Sequence, residues 1–171
     1  PDEFEYAFSF DGPYEPAKGL LFNEENVLLD PYSRAVTGQR KWGEKPEGGK
    51  DFEYRARVVK SSFDWGNIKQ LEQPFEDLVI YETHVRGYTK DKSSGVSAPG
   101  TFAGLKDKIP YLKDLGINAV ELMPIFEFDE MESARVVDGV QLYNYWGYNT
   151  VSFFAPNTSY AFNEEHTRET S

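Results

Sequence analysis

The sequence predicts an α/β fold built on parallel strands, the opening of a barrel. Two observations carry the prediction. Leu78-Val79-Ile80-Tyr81-Glu82-Thr83-His84-Val85 and Asn118-Ala119-Val120-Glu121-Leu122-Met123 are apolar, β-branched runs with the length of buried strands. Between them Phe102, Leu105, Ile109, Leu112 and Leu115 recur at helical steps and form one apolar face. Parallel neighbours need a crossover connection, and strand–helix–strand supplies it.

The elements follow in order. Glu5-Tyr6-Ala7-Phe8-Ser9-Phe10 alternates polar and apolar residues, the period of a half-buried strand, and Asp11-Gly12-Pro13 ends it. Residues 11–75 are rich in Gly, Pro and charge and read as an irregular connector packed through Tyr14, Phe22, Leu29 and Tyr32. Within it, Gly43 to Lys50 reads as an exposed loop. The first barrel strand is expected over 78–85, and a Gly/Ser/Pro loop over 93–100 leads to Thr101 as N-cap. Pro110 suits a first turn and not an interior, so it marks a second helical start, and Gly116 supplies the stop. The second strand spans 118–123 and ends at Pro124. Phe126 to Gly139 reads as a long acidic loop, a length that in compact domains is often functional.

Composition bounds the function. Aromatics make up 16 % of the chain, enough for a packed core, and the net charge of −11 argues against nucleic acid or an anionic membrane as partner. A neutral sugar meets no such repulsion. There is no cysteine, hence no disulfide or thiol chemistry, and no apolar run reaches the length of a membrane-spanning helix. The chain opens Pro1-Asp2-Glu3 with no targeting segment and no initiator Met, so a natural amino terminus is expected to be missing. Asn157-Thr158-Ser159 fits the N-glycosylation pattern, a match that arises often by chance.

Three constellations bear on chemistry. Tyr143, Tyr145, Trp146 and Tyr148 follow the acidic loop, and flat rings with polar edges suit sugar C–H faces and hydroxyls, although rings there also serve to pack a loop. Glu82, His84 and Glu121 lie in predicted strands and read either as an acid/base set or as a polar layer, with His84 satisfied by a neighbouring carboxylate. Glu127, Asp129, Glu130 and Glu132 lack calcium-loop spacing and read as a solvated loop; His166 reads as solvated too. No phosphate loop, metal-spaced set or nucleophile elbow is present, so no cofactor is expected.

A series of short motifs then appears in order: Asp11-Gly12-Pro13-Tyr14-Glu15-Pro16, Leu28-Leu29-Asp30-Pro31-Tyr32-Ser33-Arg34-Ala35, Ser62-Phe63-Asp64-Trp65-Gly66, Ile80-Tyr81-Glu82-Thr83-His84-Val85-Arg86-Gly87, Gly100-Thr101-Phe102-Ala103-Gly104, Ala119-Val120-Glu121-Leu122-Met123-Pro124 and Tyr145-Trp146-Gly147-Tyr148-Asn149. The series resembles the isoamylase-type glycogen and starch debranching enzymes of the α-amylase superfamily. The resemblance implies that residues 1–10 are the last strand of a β-sandwich glucan-binding domain, 11–75 a connector, and 76–171 the first two strands of a (β/α)₈ TIM barrel. It implies retaining hydrolysis of α-1,6 branch linkages in glycogen- or amylopectin-type glucans, in a bacterial cytoplasm or a plastid. By the same resemblance the catalytic carboxylates belong to later barrel strands, so no catalytic residue is assigned and the chain alone is expected to be inactive. Tyr145 matches the family's aromatic platform under the sugar, with Trp146 and Tyr148 as further substrate contacts. The stretch Asp129 to Gln141 is longer than in other family versions. A non-catalytic glucan-binding relative, or a branching or transglycosylating superfamily member, stays open. A whole barrel takes about 250 residues, so this chain is expected to be a piece of a longer protein.

Overall fold

The computed structural model describes residues 4–38, 42–43, 54–60 and 63–162. The expected loop over 44–50, Ser62, and the tail from Asn163 with His166 lie outside the described residues. In chain order the elements are β1 (Glu5–Tyr6), β2 (Phe8–Ser9), β3 (Tyr14–Glu15), β4 (Leu20–Leu21), β5 (Val27–Leu28), β6 (Val36–Thr37), β7 (Arg55–Arg57) and β8 (Ile80–Thr83). Then follow α1 (Val85–Thr89), α2 (Phe102–Asp107), α3 (Ile109–Asp114), β9 (Ala119–Leu122), β10 (Phe126–Phe128), β11 (Arg135–Val137), β12 (Val140–Leu142) and β13 (Thr150–Pro156). No helix among the described residues is long and apolar enough to cross a membrane.

The expected parallel pair is present: β8 and β9 run parallel with Ile80 opposite Ala119 and Glu82 opposite Glu121. Asn118 fixes their start, its Oδ1 accepting from Val79 N–H at 2.7 Å and its Nδ2 donating to the Asp77 carbonyl at 2.8 Å. The connection is helical, as the periodicity predicts. Thr101 caps α2, its Oγ1 accepting from Gly104 N–H at 3.2 Å. The break at Pro110 is real: α2 ends, and Pro110 occupies the first turn of α3. Gly116 follows with φ +90° and closes the helical segment.

Two expectations need correction. The first strand stops at Thr83, because His84 turns out of the ladder to cap α1, its Nδ1 accepting from Gly87 N–H at 3.0 Å. Residues 126–139 are not a structureless acidic loop. β10 pairs antiparallel with β13, and β11 and β12 form a hairpin around Asp138-Gly139. Both turn residues have positive φ, +51° and +79°, the geometry of a two-residue turn suited to strand twist.

The connector also differs from its reading. It forms strands of two or three residues: β6 pairs with β7 and β3 with β4, while the single strand expected over 5–10 is instead β1 and β2, which pair with β7 and β5 of the connector. Tyr14 and Tyr32 are not packing anchors in the sense expected, since both are well exposed, although Tyr32 stacks on Phe154 at 5.4 Å. Leu29 is half-buried and Phe22 exposed. The core lies where the parallel strands end, with Trp42, Val85, Phe128 and Tyr160 at its centre and Phe102, Leu105, Leu122 and Ile125 against it. It forms the floor beneath the aromatic cluster.

Candidate functional site

The chain from Asn144 to Asn149 is shaped by its own polar groups. Asn144 N–H donates to the Glu130 carbonyl at 2.9 Å, and its Oδ1 accepts from Gly147 N–H at 3.4 Å. Gly147 has φ +76°, and a Cβ there would lie 2.6 Å from Phe128 Cδ1. Only glycine fits a left-handed residue pressed onto a buried ring. The tight turn throws the flanking aromatics outward, and exposure rises from Tyr145 at 36 % to Trp146 at 53 % and Tyr148 at 70 %.

Tyr145 is held from behind. Its ring stacks on the His84 imidazole with centroids 4.4 Å apart and planes 15° off parallel. Trp146 meets the same imidazole edge-on at 5.8 Å and Tyr145 edge-on at 5.5 Å. The imidazole covers one face of Tyr145, and the side chain lines a cleft. The Tyr145 hydroxyl lies over Gly87, where an added Cβ would come within 2.8 Å of it, so this helix position must stay bare.

His84 is buried at 6 % exposure, and its ring nitrogens have assignable roles. Nδ1 accepts from an amide N–H, so the proton sits on Nε2, which donates to the Tyr145 carbonyl at 3.0 Å and lies 3.2 Å from Tyr160 Oη. The expected carboxylate partner is replaced by a main-chain carbonyl and a phenol. Burial, with the Arg86 charge adding to it, holds the imidazole below its ordinary value against the opposing hydrogen bond to Tyr145. Burial likewise pushes the Tyr145 phenol up.

The structure gathers the three predicted sugar contacts on one cleft of about 970 Å³. Trp42, Tyr143 and Asn144 line it beside Tyr145, Trp146 and Tyr148, and the β11–β12 hairpin adds Arg135, Gln141 and Leu142 as a further wall. Trp42 and the hairpin residues escaped the sequence reading; the Asp138-Gly139 pair between valines was the signal for the hairpin. Glu82 and Glu121 are exposed and line a neighbouring cleft with Tyr148 and Phe153, while His84 is turned into the core, so the three do not assemble as an acid/base set.

The acidic stretch is only partly solvated, contrary to its reading. Glu127 is buried and accepts from Thr158 N–H at 3.0 Å and from the Thr158 hydroxyl at 2.9 Å. Glu130 is buried and accepts from Gly43 N–H at 2.9 Å. These carboxylates tie neighbouring segments to the cleft floor. Among the described residues no group of three or more His, Cys, Asp or Glu is placed to hold a metal ion. Asn157 of the glycosylation tripeptide is fully buried, its Oδ1 accepting from Ser159 N–H at 2.9 Å.

No protein-family model matches the chain. Among curated proteins it is similar to isoamylase 1, chloroplastic, of Arabidopsis thaliana, 40 % identical over 161 residues, covering 91 % of this chain and 21 % of that protein. It is similar to the glycogen debranching enzyme of Yersinia enterocolitica, 36 % identical over 175 residues, covering 94 % of this chain and 26 % of that protein. Among solved structures it resembles the Group B Streptococcus pullulanase SAP in complex with maltotetraose, with TM-score 0.61 and 27 % identity over 80 % of this chain and 19 % of that one. The chain thus spans about a fifth to a quarter of the length of the curated relatives it matches.

Proposed function

We propose that this chain, a homologue of the isoamylase-type glycogen and starch debranching enzymes, is the part of such a glycoside hydrolase that presents the aromatic rim of its glucan cleft. β8 and β9 are then the first two strands of a (β/α)₈ barrel, with residues 1–10 closing a β-sandwich and 11–75 bridging the two. The parallel pairing of β8 and β9 across a helical connection supports this arrangement. The whole protein hydrolyses α-1,6 branch linkages of glycogen- or amylopectin-type glucans with retention. Retention calls for a nucleophilic carboxylate and an acid/base carboxylate flanking the bond, and both lie outside residues 1–171. In a bacterial cytoplasm or a plastid its partner is the neutral glucan, which a net charge of −11 does not repel.

The observation that carries this reading is Tyr145, backed by the His84 imidazole and lining the cleft. A pyranose ring packs its C–H face on such a platform while Trp146 and Tyr148 offer further aromatic surface with N–H and O–H edges. The test is product analysis with the intact protein on amylopectin. Linear α-1,4 chains with new reducing ends, and a matching fall in branch content, are expected. Branches moved without net reducing ends would identify a transferase, and binding without cleavage a non-catalytic relative.

A further inference from the structure

We infer that His84 is the positioning residue for the aromatic rim, setting Tyr145 and Trp146 for a sugar through its neutral Nε2–H form. The inference rests on the proposed glucan-binding role of the rim. Three contacts converge on the imidazole, one from α1 and two from Tyr145. Nδ1 takes the Gly87 amide of α1 at 3.0 Å, Nε2–H reaches the Tyr145 carbonyl at 3.0 Å, and the ring plane carries the Tyr145 side chain at 4.4 Å. One side chain thus fixes both the main chain and the ring of the same tyrosine, which leaves that ring little freedom to swing out of the cleft. Trp146 and Tyr160 bracket the imidazole edge-on, each at 5.8 Å, so His84 has no room to flip without displacing the rim.

The two ring nitrogens separate structure from positioning. An Asn side-chain oxygen reaches the place of Nδ1 and is itself a strong N-cap, so His84→Asn keeps the α1 cap and loses the stack and the bond to Tyr145. A Gln amide nitrogen reaches the place of Nε2, so His84→Gln keeps the bond to the Tyr145 carbonyl and loses the cap. The experiment measures the melting temperature and the maltotetraose dissociation constant, by calorimetry, for the intact protein and its His84→Asn, His84→Gln and Tyr145→Ala variants.

His84→Asn, which keeps the cap, is expected to lower the melting temperature less than His84→Gln while weakening maltotetraose about tenfold. His84→Gln is expected to lower the melting temperature more and the affinity less. Unchanged affinity in His84→Asn with weakened binding in Tyr145→Ala overturns the positioning role and leaves the proposed function standing. Affinity losses that simply follow melting temperature in both His84 variants also overturn it, by making His84 a structural residue alone. No binding by the unsubstituted protein, or no effect of Tyr145→Ala, removes the glucan-binding reading of the rim, and the positioning role falls with it.

Discussion

Gly147 shows how a single residue sets the cleft. Its φ of +76° and the 2.6 Å approach to Phe128 leave no place for a Cβ. Gly147→Ala must both strain the backbone and push on a fully buried ring, at a cost on the order of 2–4 kcal/mol. A fall of several degrees in melting temperature, with weakened glucan binding, is the expected outcome. His84 adds a pH dependence. Its folded-state value is depressed by burial, so the neutral form is favoured on folding, and the unfolded chain binds the extra proton first as pH falls. Its contribution to stability is complete above about pH 6.5, the ordinary imidazole value, and is lost as pH drops below that through the folded value. Arg86 on its own helix, the Tyr145 ring and carbonyl, and the Tyr160 hydroxyl face the imidazole. Melting curves between pH 7.5 and 5 check this, and the same series on His84→Gln should lose that component. The composition of the Tyr145 stretch was enough to nominate its rings. Which ring is held and which is free was not readable, because it depends on His84, distant in sequence and misread as a strand residue.

At the scale of elements, polar caps and turns decide more than composition does. Thr101 carries the N-cap of α2, and Thr101→Ala is expected to cost about 1 kcal/mol, read as a melting-temperature shift with the cleft contacts intact. The β11–β12 hairpin rests on Asp138-Gly139, both residues at positive φ. Gly139→Val puts a β-branched side chain where φ is +79° and should open the hairpin, removing the wall with Arg135 and Gln141. Its checkable consequence is weaker binding of long maltooligosaccharides with binding of short ones preserved, measured by calorimetry. The strands β8 and β9 and the broken helix were legible because their signals are local: β-branched runs, a capping Thr, a Pro, a terminal Gly. The hairpin was missed because its valines flank the turn in runs too short to outweigh the acidic stretch before them. The buried Glu127 and Glu130 were missed for a related reason, since a carboxylate's burial is decided by the amide donors that reach it, Thr158 and Gly43, and not by its neighbours in sequence.

On the scale of the whole molecule, apolar surface is the dominant feature. Ile80, Val120, Ile109 and Leu115 on the strand pair and its helices are each more than 40 % exposed, and β8 and β9 form a sheet of two strands. Paired edges and a second covering layer are what such a sheet needs for independent stability. Residues 1–171 expressed alone are therefore expected to bind a hydrophobic dye and to self-associate, while the longer protein that carries them does neither; dye fluorescence and sedimentation distinguish the two. The parallel strand order could be foreseen at this scale, but the extent of uncovered surface is set by the fold itself, because which side chains lose water depends on what packs over them.

The most direct test of the account is the rate at which the intact protein releases reducing ends from amylopectin, compared with its Tyr145→Ala variant at matched fold stability. Loss of the aromatic platform should lower kcat/KM about ten- to hundredfold, on the order of 1.4–2.7 kcal/mol of transition-state stabilisation, with linear α-1,4 chains still the product of whatever activity survives. An unchanged kcat/KM in Tyr145→Ala, or an intact protein that leaves the branch linkages whole, would contradict it.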